Sequence, residues 1–149
     1  MRVTAINRTK SKISTGGESV TDRLRMLEVL SNFNPQPESV PINCLMAMPG
    51  TPLADSPPVD IFDLARLIAV TRIALPRARV RLAAGRTHIT REGQALCFFA
   101  GANSIFFGDK LLTAENPAAT ADVKLLQELG LQIEACGDGN HPEQTYGRA

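Results

Sequence analysis

The sequence predicts an α/β fold, namely a partial (β/α)8 barrel with about three parallel strand–helix units preceded by a helix. Three buried strand-like segments alternate with amphipathic helical segments, which is typical of a parallel sheet covered by helices. These strand-like segments are separated by roughly 25–40 residues, a spacing that suits either a doubly wound sheet or a barrel of strand–helix repeats. The chain has 149 residues, the length of one domain, and three strands are too few to close an eight-stranded barrel. We therefore expect part of such a barrel.

The first third of the chain contains one helix and one strand. Residues 1–17 show no periodicity and are expected to be irregular. Ser19 can cap a helix whose apolar stripe runs from Val20 to Leu30. A strand is predicted over Glu38–Met46, where Pro41 lacks an N–H donor and so indicates a sheet edge or an irregular strand.

The rest of the chain repeats strands and helices. Asp60 and Thr90 are helix caps, and Pro76 and Gly101 are helix ends. The predicted elements are a helix over Asp60–Leu75, a strand within Arg79–Arg86, a helix over Arg91–Ala100, a strand over Ser104–Gly108 and a helix over 120–129. Residues 132–149 are expected to be a flexible tail, because the end is rich in Gly, Asn, Pro and Gln. This divides the chain into 1–17, 18–131 and 132–149.

Alternation along the predicted strands separates apolar from polar side chains. Successive residues of a strand point to opposite faces of the sheet. One face would carry Val40, Ile42, Cys44, Val80, Leu82, Ile105 and Phe107, and the other Ser39, Asn43, Arg81 and Ser104. A purely structural core would place Val, Ile and Leu on both faces. Polar side chains gathered on one side therefore favour a ligand or cofactor pocket, although short polar residues also mark strand ends.

Arg81 is the most informative of these polar residues. It occupies the middle of a strand that is otherwise apolar, and a guanidinium is rarely buried without a compensating group. That group could be a carboxylate in an ordinary salt bridge, or it could be a phosphate, a ligand or a metal centre. Periodicity alone leaves these alternatives open.

Composition excludes several classes of function. The net charge is +1, aromatic residues make up 5% of the chain, and Trp is absent, so a nucleic-acid or anionic-membrane surface is not expected. No apolar run approaches the roughly 18–20 residues that span a bilayer. The three cysteines are widely spaced and form no Cys-x-x-Cys pair, which favours a reducing cytoplasm. The two histidines have no companions at ligand spacing.

Five segments resemble biotin synthase, in the carboxyl-terminal part that includes its biotin and thiamin synthesis associated domain. The resemblance runs from about Glu18 to Leu131. It is carried by Pro-Glu-Ser-Val-Pro-Ile-Asn at 37–43, Gly-Thr-Pro-Leu at 50–53, Ala-Val-Thr-Arg-Ile at 69–73, Val-Arg-Leu-Ala-Ala-Gly-Arg at 80–86 and Cys-Phe-Phe-Ala-Gly-Ala-Asn-Ser-Ile-Phe-Phe-Gly at 97–108.

The resemblance implies a radical S-adenosylmethionine enzyme, a sulfurtransferase that converts dethiobiotin to biotin, usually as a homodimer. Its cofactors are a 4Fe-4S cluster that cleaves S-adenosylmethionine and a 2Fe-2S cluster that supplies the sulfur. By the matching strand, Arg81 corresponds to a ligand of the 2Fe-2S cluster. Asn43 and Ser39 fall at the pocket for substrate and S-adenosylmethionine, and Ser104, like Ser39, lies near the cluster. No catalytic residue is implied in this part.

The sequence also departs from the family. The Cys-x-x-x-Cys-x-x-Cys motif that holds the 4Fe-4S cluster is absent, as are the cysteines of the 2Fe-2S cluster, and residues 1–14 look foreign to the family. We therefore expect the chain to be inactive alone and to need a companion amino-terminal half. The alternatives are a non-catalytic half-barrel that binds another subunit, or an inactive truncated remnant. Neither nucleic acid nor membrane is expected as a partner.

Overall fold

The computed structural model describes residues 2–5, 13–15, 18–106, 110–111, 114–115 and 119–135, with side chains for 18–106 and 120–134. The described helices are α1 (Val20–Ser31), α2 (Ile61–Ala74), α3 (Arg91–Phe99) and α4 (Ala119–Glu128). The described strands are β1 (Arg2–Ala5), β2 (Ile13–Thr15), β3 (Ser39–Cys44), β4 (Arg79–Leu82), β5 (Ser104–Ile105), β6 (Lys110–Leu111), β7 (Ala114–Glu115) and β8 (Gln132–Ala135).

Six strands form one parallel sheet in the order β2-β3-β4-β5-β1-β8, and β6 pairs with β7 in a separate antiparallel hairpin. The three predicted units, β3–α2, β4–α3 and β5–α4, are all present, which confirms the predicted fold class. Parallel strands need a crossover connection, and the helices provide it here. None of the described helices is both long enough and apolar enough to cross a membrane.

Local sequence explains where the helices begin. The side chain of Asp60 accepts hydrogen bonds from the backbone N–H groups of Phe62 and Asp63, both at 2.9 Å, and so caps α2. Thr90 caps α3 in the same way, by accepting from the N–H of Gly93 at 3.1 Å. Ser19 and Asp22 form a reciprocal capping box at α1, and these hydrogen bonds lower the pKa of Asp22.

The core lies between the sheet and the helices. Its buried members come from β3, β4 and β5 and from the inner faces of the helices, among them Val40, Ile42, Leu64, Ile68, Val80, Leu82, Phe98, Ile105 and Leu126. The stripe predicted for α1 is buried only in its second half: Leu27 and Leu30 are buried, whereas Val20 and Leu24 are exposed. The first turn of α1 therefore extends beyond the core.

Three expectations need correction. Residues 1–17 were expected to be irregular, but Arg2–Ala5 and Ile13–Thr15 are strands, and Gln132–Ala135, at the start of the expected flexible tail, is a strand as well. Each of these segments has only three or four residues, which is too few for periodicity in the sequence to identify it as a strand. Residues 136–149 and Phe107–Gly108 lie outside the described residues.

The third correction concerns Pro41, because β3 is neither an edge strand nor irregular. The N–H of Cys44 donates to Ala84 on the β4 side. Alternate N–H groups of a parallel strand point to opposite neighbours, so the missing donor of Pro41 lies on the β2 side. The described residues of β2 pair with Ile42–Cys44, and the proline therefore removes no hydrogen bond from the ladder between these residues.

Candidate functional site

The side chain of Arg81 is the centre of the candidate site. It is 0% exposed. Its Nε donates to the Oγ of Ser104 at 3.3 Å, and its Nη2 donates to the Oγ of Ser39 at 3.1 Å. The guanidinium carbon lies 4.6 Å from the centre of the Phe106 ring, within the range of a cation–π interaction. Hydroxyl groups are neutral, so these two hydrogen bonds fix the direction of the guanidinium but do not cancel its charge.

Backbone register explains why these residues meet. Arg81 on β4 lies opposite Pro41 on β3 and opposite Ser104 on β5. Residues paired in register share one face of a sheet, and Ser39 precedes Pro41 by one full strand period. The separation of polar from apolar residues predicted along these three strands therefore matches the hydrogen bonds of Arg81.

The same register row continues across the sheet. Ser104 pairs with Thr4 on β1, and Thr4 pairs with Glu134 on β8. One strand period further along β3 from Pro41, Asn43 is in register with Ser14 on β2. Sequence reasoning missed these three positions because it treated both ends of the chain as irregular. The alternation of Val3 and Ala5 with Thr4 was the available signal, but it covers too few residues to stand out.

Asn43 makes a different contact. It is 8% exposed, and its Oδ1 accepts a hydrogen bond from the backbone N–H of Ala84 at 3.0 Å. A backbone N–H can only donate, so the amide oxygen must face Ala84 and the NH2 group must face away from it. Asn43, near the end of β3, thus binds the turn that follows β4 (residues 83–89), at the carboxyl edge of the sheet, where α/β proteins usually bind ligands.

A buried ion pair between Arg86 and Asp122 lies beside this turn. It was not predicted from the sequence. Arg86 and Asp122 are 5% and 4% exposed, and both terminal nitrogens of Arg86 contact the carboxylate, at 2.6 and 2.7 Å. The partners are separated by 36 residues. No local pattern in the sequence could have matched them.

The described cysteines do not fit as cluster ligands. Cys44 lies on the sheet face opposite to Arg81, as its strand parity predicts. Cys97 is 0% exposed in the helix layer, where burial, together with the nearby Cys44, raises the pKa of its thiol to about 12. Metals bind the thiolate form of cysteine. Among the described residues, no three His, Cys, Asp or Glu side chains form a possible metal site, so these residues by themselves would hold neither iron–sulfur cluster.

A cavity of about 670 Å³ lies at the other edge of the sheet. It is lined by the α1–β3 loop and by the residues before and at the start of β4: Phe33, Asn34, Pro35, Gln36, Pro37, Glu38, Arg77 and Arg79. Strands β3 and β4 begin here, whereas ligand sites of parallel α/β folds lie where strands end. Position in the fold therefore favours the region around Arg81 and Asn43 over this cavity.

Comparison with known proteins assigns the family. Residues 41–132, from β3 to the start of β8, match the family described as the Biotin and Thiamin Synthesis associated domain. The chain belongs to this family. The match covers Asn43, Arg81 and Ser104, whereas Ser39 lies two residues before it.

Curated relatives of this family member are biotin synthases. The chain is 59% identical over 119 residues to the biotin synthase of Methylobacterium sp. (strain 4-46), covering 80% of this chain and 36% of that protein. It is 58% identical over 115 residues to the biotin synthase of Flavobacterium johnsoniae, covering 77% of this chain and 32% of that protein. The chain therefore spans about a third of the length of the curated relatives it matches.

A solved structure shares the fold. The crystal structure titled HydG, a maturase of the [FeFe]-hydrogenase, matches with a TM-score of 0.59 and 18% sequence identity, over 76% of this chain and 27% of that one. At this identity the match speaks for the fold alone. It supports an α/β unit that corresponds to part of a larger protein chain.

Proposed function

We propose that this chain supplies the carboxyl-terminal part of a biotin synthase and contributes to catalysis only together with the rest of that enzyme. The proposal rests on the side chain of Arg81, which is fully buried and donates hydrogen bonds to two serine hydroxyl groups. The chain that contains it is 59% identical to a biotin synthase over 119 residues. The reaction would be conversion of dethiobiotin to biotin by a radical S-adenosylmethionine mechanism, with a 2Fe-2S and a 4Fe-4S cluster as cofactors.

Arg81 is the residue we assign to the 2Fe-2S cluster. An arginine ligates a metal only after it gives up a proton, which a guanidinium resists. A guanidinium held in one direction is better suited to this role than a mobile one, and the hydrogen bonds that Arg81 donates to Ser39 and Ser104 supply that restraint. When bound, the cluster would supply the sulfur atom. The cysteine ligands would have to come from outside the described residues.

Asn43 and Ser39 are assigned to the wall of the pocket for substrate and S-adenosylmethionine. Because the oxygen of the Asn43 side chain is engaged by Ala84, its NH2 group would donate to an acceptor oxygen of the ligand. Ser39 lies at the start of the same strand and links the pocket wall to Arg81. Dethiobiotin as substrate, a homodimeric enzyme and a cytoplasmic location belong to the same proposal.

Complementation in vitro tests this function. The chain would be mixed with the part of the Methylobacterium biotin synthase that it does not match, and then supplied under anaerobic conditions with iron, sulfide, S-adenosylmethionine and a reductant. We expect dethiobiotin-dependent biotin formation and the visible absorption of a 2Fe-2S cluster. Arg81→Met should lose both signals. Arg79→Met is the matched control because it alters an arginine of the same strand, outside the site, and it should keep both.

Three outcomes would contradict the proposal. Equal cluster absorption in Arg81→Met and in the unaltered chain would remove Arg81 from its assigned role. Stable association of the two parts without turnover would instead favour a non-catalytic half-barrel that docks on another subunit, and absence of both association and turnover would favour an inactive remnant.

A further inference from the structure

The ion pair between Arg86 and Asp122 joins two distant parts of the fold. Arg86 begins the short 3-10 helix (Arg86–His88) within the turn after β4, and Asp122 lies in the first turn of α4. Nη1 and Nη2 of Arg86 each donate to one carboxylate oxygen of Asp122, at 2.6 and 2.7 Å, in a two-point contact. Such a contact fixes orientation as well as distance, and burial makes a change to either partner costly.

A second contact extends this anchor to α3. Nη1 of Arg86 also donates to the Oε1 of Gln94 at 3.1 Å, and the Nε2 of Gln94 donates to the carbonyl oxygen of Ile89 at 3.1 Å. The turn is thereby held at its start by α4 and at its end by α3. These contacts with two helices leave the turn little freedom to move.

The inner side of the same turn contacts the candidate site. The N–H of Cys44 donates to the carbonyl oxygen of Ala84 at 2.8 Å, and the N–H of Ala84 donates to the Oδ1 of Asn43 at 3.0 Å. Gly85 has φ +81° and packs so closely that a Cβ would lie 2.3 Å from the carbonyl oxygen of Cys44. A shift of the turn would therefore move the group that orients Asn43.

We propose that Arg86 and Asp122 are a positioning pair, which sets the direction of the Asn43 side-chain amide by holding the turn at Ala84. The two residues act through the backbone and are not placed at the ligand. The consequence for a bound substrate rests on the function proposed above, whereas the orientation of Asn43 is a property of this chain alone.

Asp122→Asn tests the proposal because it keeps the shape of the side chain and removes its charge. Three NMR signals of the chain would be followed: the side-chain NH2 resonance of Asn43, hydrogen exchange at the Ala84 amide, and hydrogen exchange at the Ile68 amide in α2 as a reporter of global opening. We expect the Asn43 resonance to shift, and exchange at Ala84 to accelerate at least tenfold more than exchange at Ile68.

Asp63→Asn is the matched control. It makes the same chemical change in an exposed ion pair with Arg66 on α2, where solvent screening leaves little coupling. All three signals should stay at their original values. If Asp122→Asn does not fold, Arg86→Lys provides the second variant, because lysine keeps the charge but cannot make the two-point contact.

The overturning result is equal acceleration at Ala84 and Ile68 together with an unmoved Asn43 resonance. That outcome would make the pair a general stabiliser with no positioning role. These signals need neither cluster nor substrate, so a failure of biotin formation in the complementation experiment would leave this test intact.

Discussion

Gly85→Ala tests how closely the turn after β4 packs on β3. At φ +81° an added Cβ would lie 2.3 Å from the carbonyl oxygen of Cys44 and 3.0 Å from its Cβ. Real Cβ atoms are essentially never closer than 3.0 Å to such an atom, so the turn and the strand end would have to separate by about 0.7 Å. A backbone carbonyl cannot rotate away as a long side chain can.

The expected loss of stability has two parts. A positive φ costs an L residue roughly 1–2 kcal/mol. Separation of the turn from β3 also weakens two hydrogen bonds, from Cys44 N–H to Ala84 and from Ala84 N–H to Asn43, each worth about 1 kcal/mol. We expect Gly85→Ala to lower the free energy of unfolding by roughly 3–4 kcal/mol.

Gly50→Ala separates these two parts. Gly50 also has φ +81°, but its added Cβ would meet nothing within 4 Å, so only the backbone strain of roughly 1–2 kcal/mol remains. Urea unfolding followed by circular dichroism would compare both variants with the unaltered chain, with the slope m checked for constancy. Equal losses in the two variants would refute the close contact between Gly85 and Cys44.

Two further predictions concern the helix α3. Phe98 is 1% exposed and Phe99 is 72% exposed. Phe98→Ala should lower the free energy of unfolding by about 3–5 kcal/mol because it empties a core position, whereas Phe99→Ala should change it little. Urea unfolding in which both variants behaved alike would contradict this orientation of α3. Cys97, whose pKa rises from the usual 9.0 to about 12, should resist iodoacetamide at pH 8 in the folded chain, as measured by mass spectrometry. The thiol of Cys97 loses its proton at a lower pH in the unfolded chain than in the folded chain. Its contribution to the free energy of unfolding is therefore present below pH 9 and is lost as pH rises toward 12. Cys97→Ala should remove this pH dependence of the free energy of unfolding, and an unchanged pH dependence would contradict the burial of this thiol.

Local signals made much of the helical layer predictable. The Asp60 cap and Pro76 bracket α2, and Thr90 and Gly101 bracket α3, because caps and breakers act within a few residues of the helix end. The strands β1, β2 and β8 were missed for the same physical reason. Each is held by its neighbours in the sheet, and three or four residues do not carry enough periodicity of their own.

The site was predictable only in part. Strand alternation placed Ser39, Arg81 and Ser104 on one face, since the side-chain period of a strand is fixed at two residues. The partner of Arg86 was beyond prediction, because a contact across 36 residues depends on where α4 packs. The orientation of the Asn43 amide likewise depends on a turn whose position the local sequence does not encode.

The surroundings of the Arg81 guanidinium provide the most direct test of the account. Nuclear Overhauser effects from the Arg81 Hε proton in the unaltered chain would report them. We predict cross-peaks to the β protons of Ser104 and to the ring of Phe106. Cross-peaks to Leu64 and Ile68 of α2 instead would place the guanidinium in the helix layer and contradict the site.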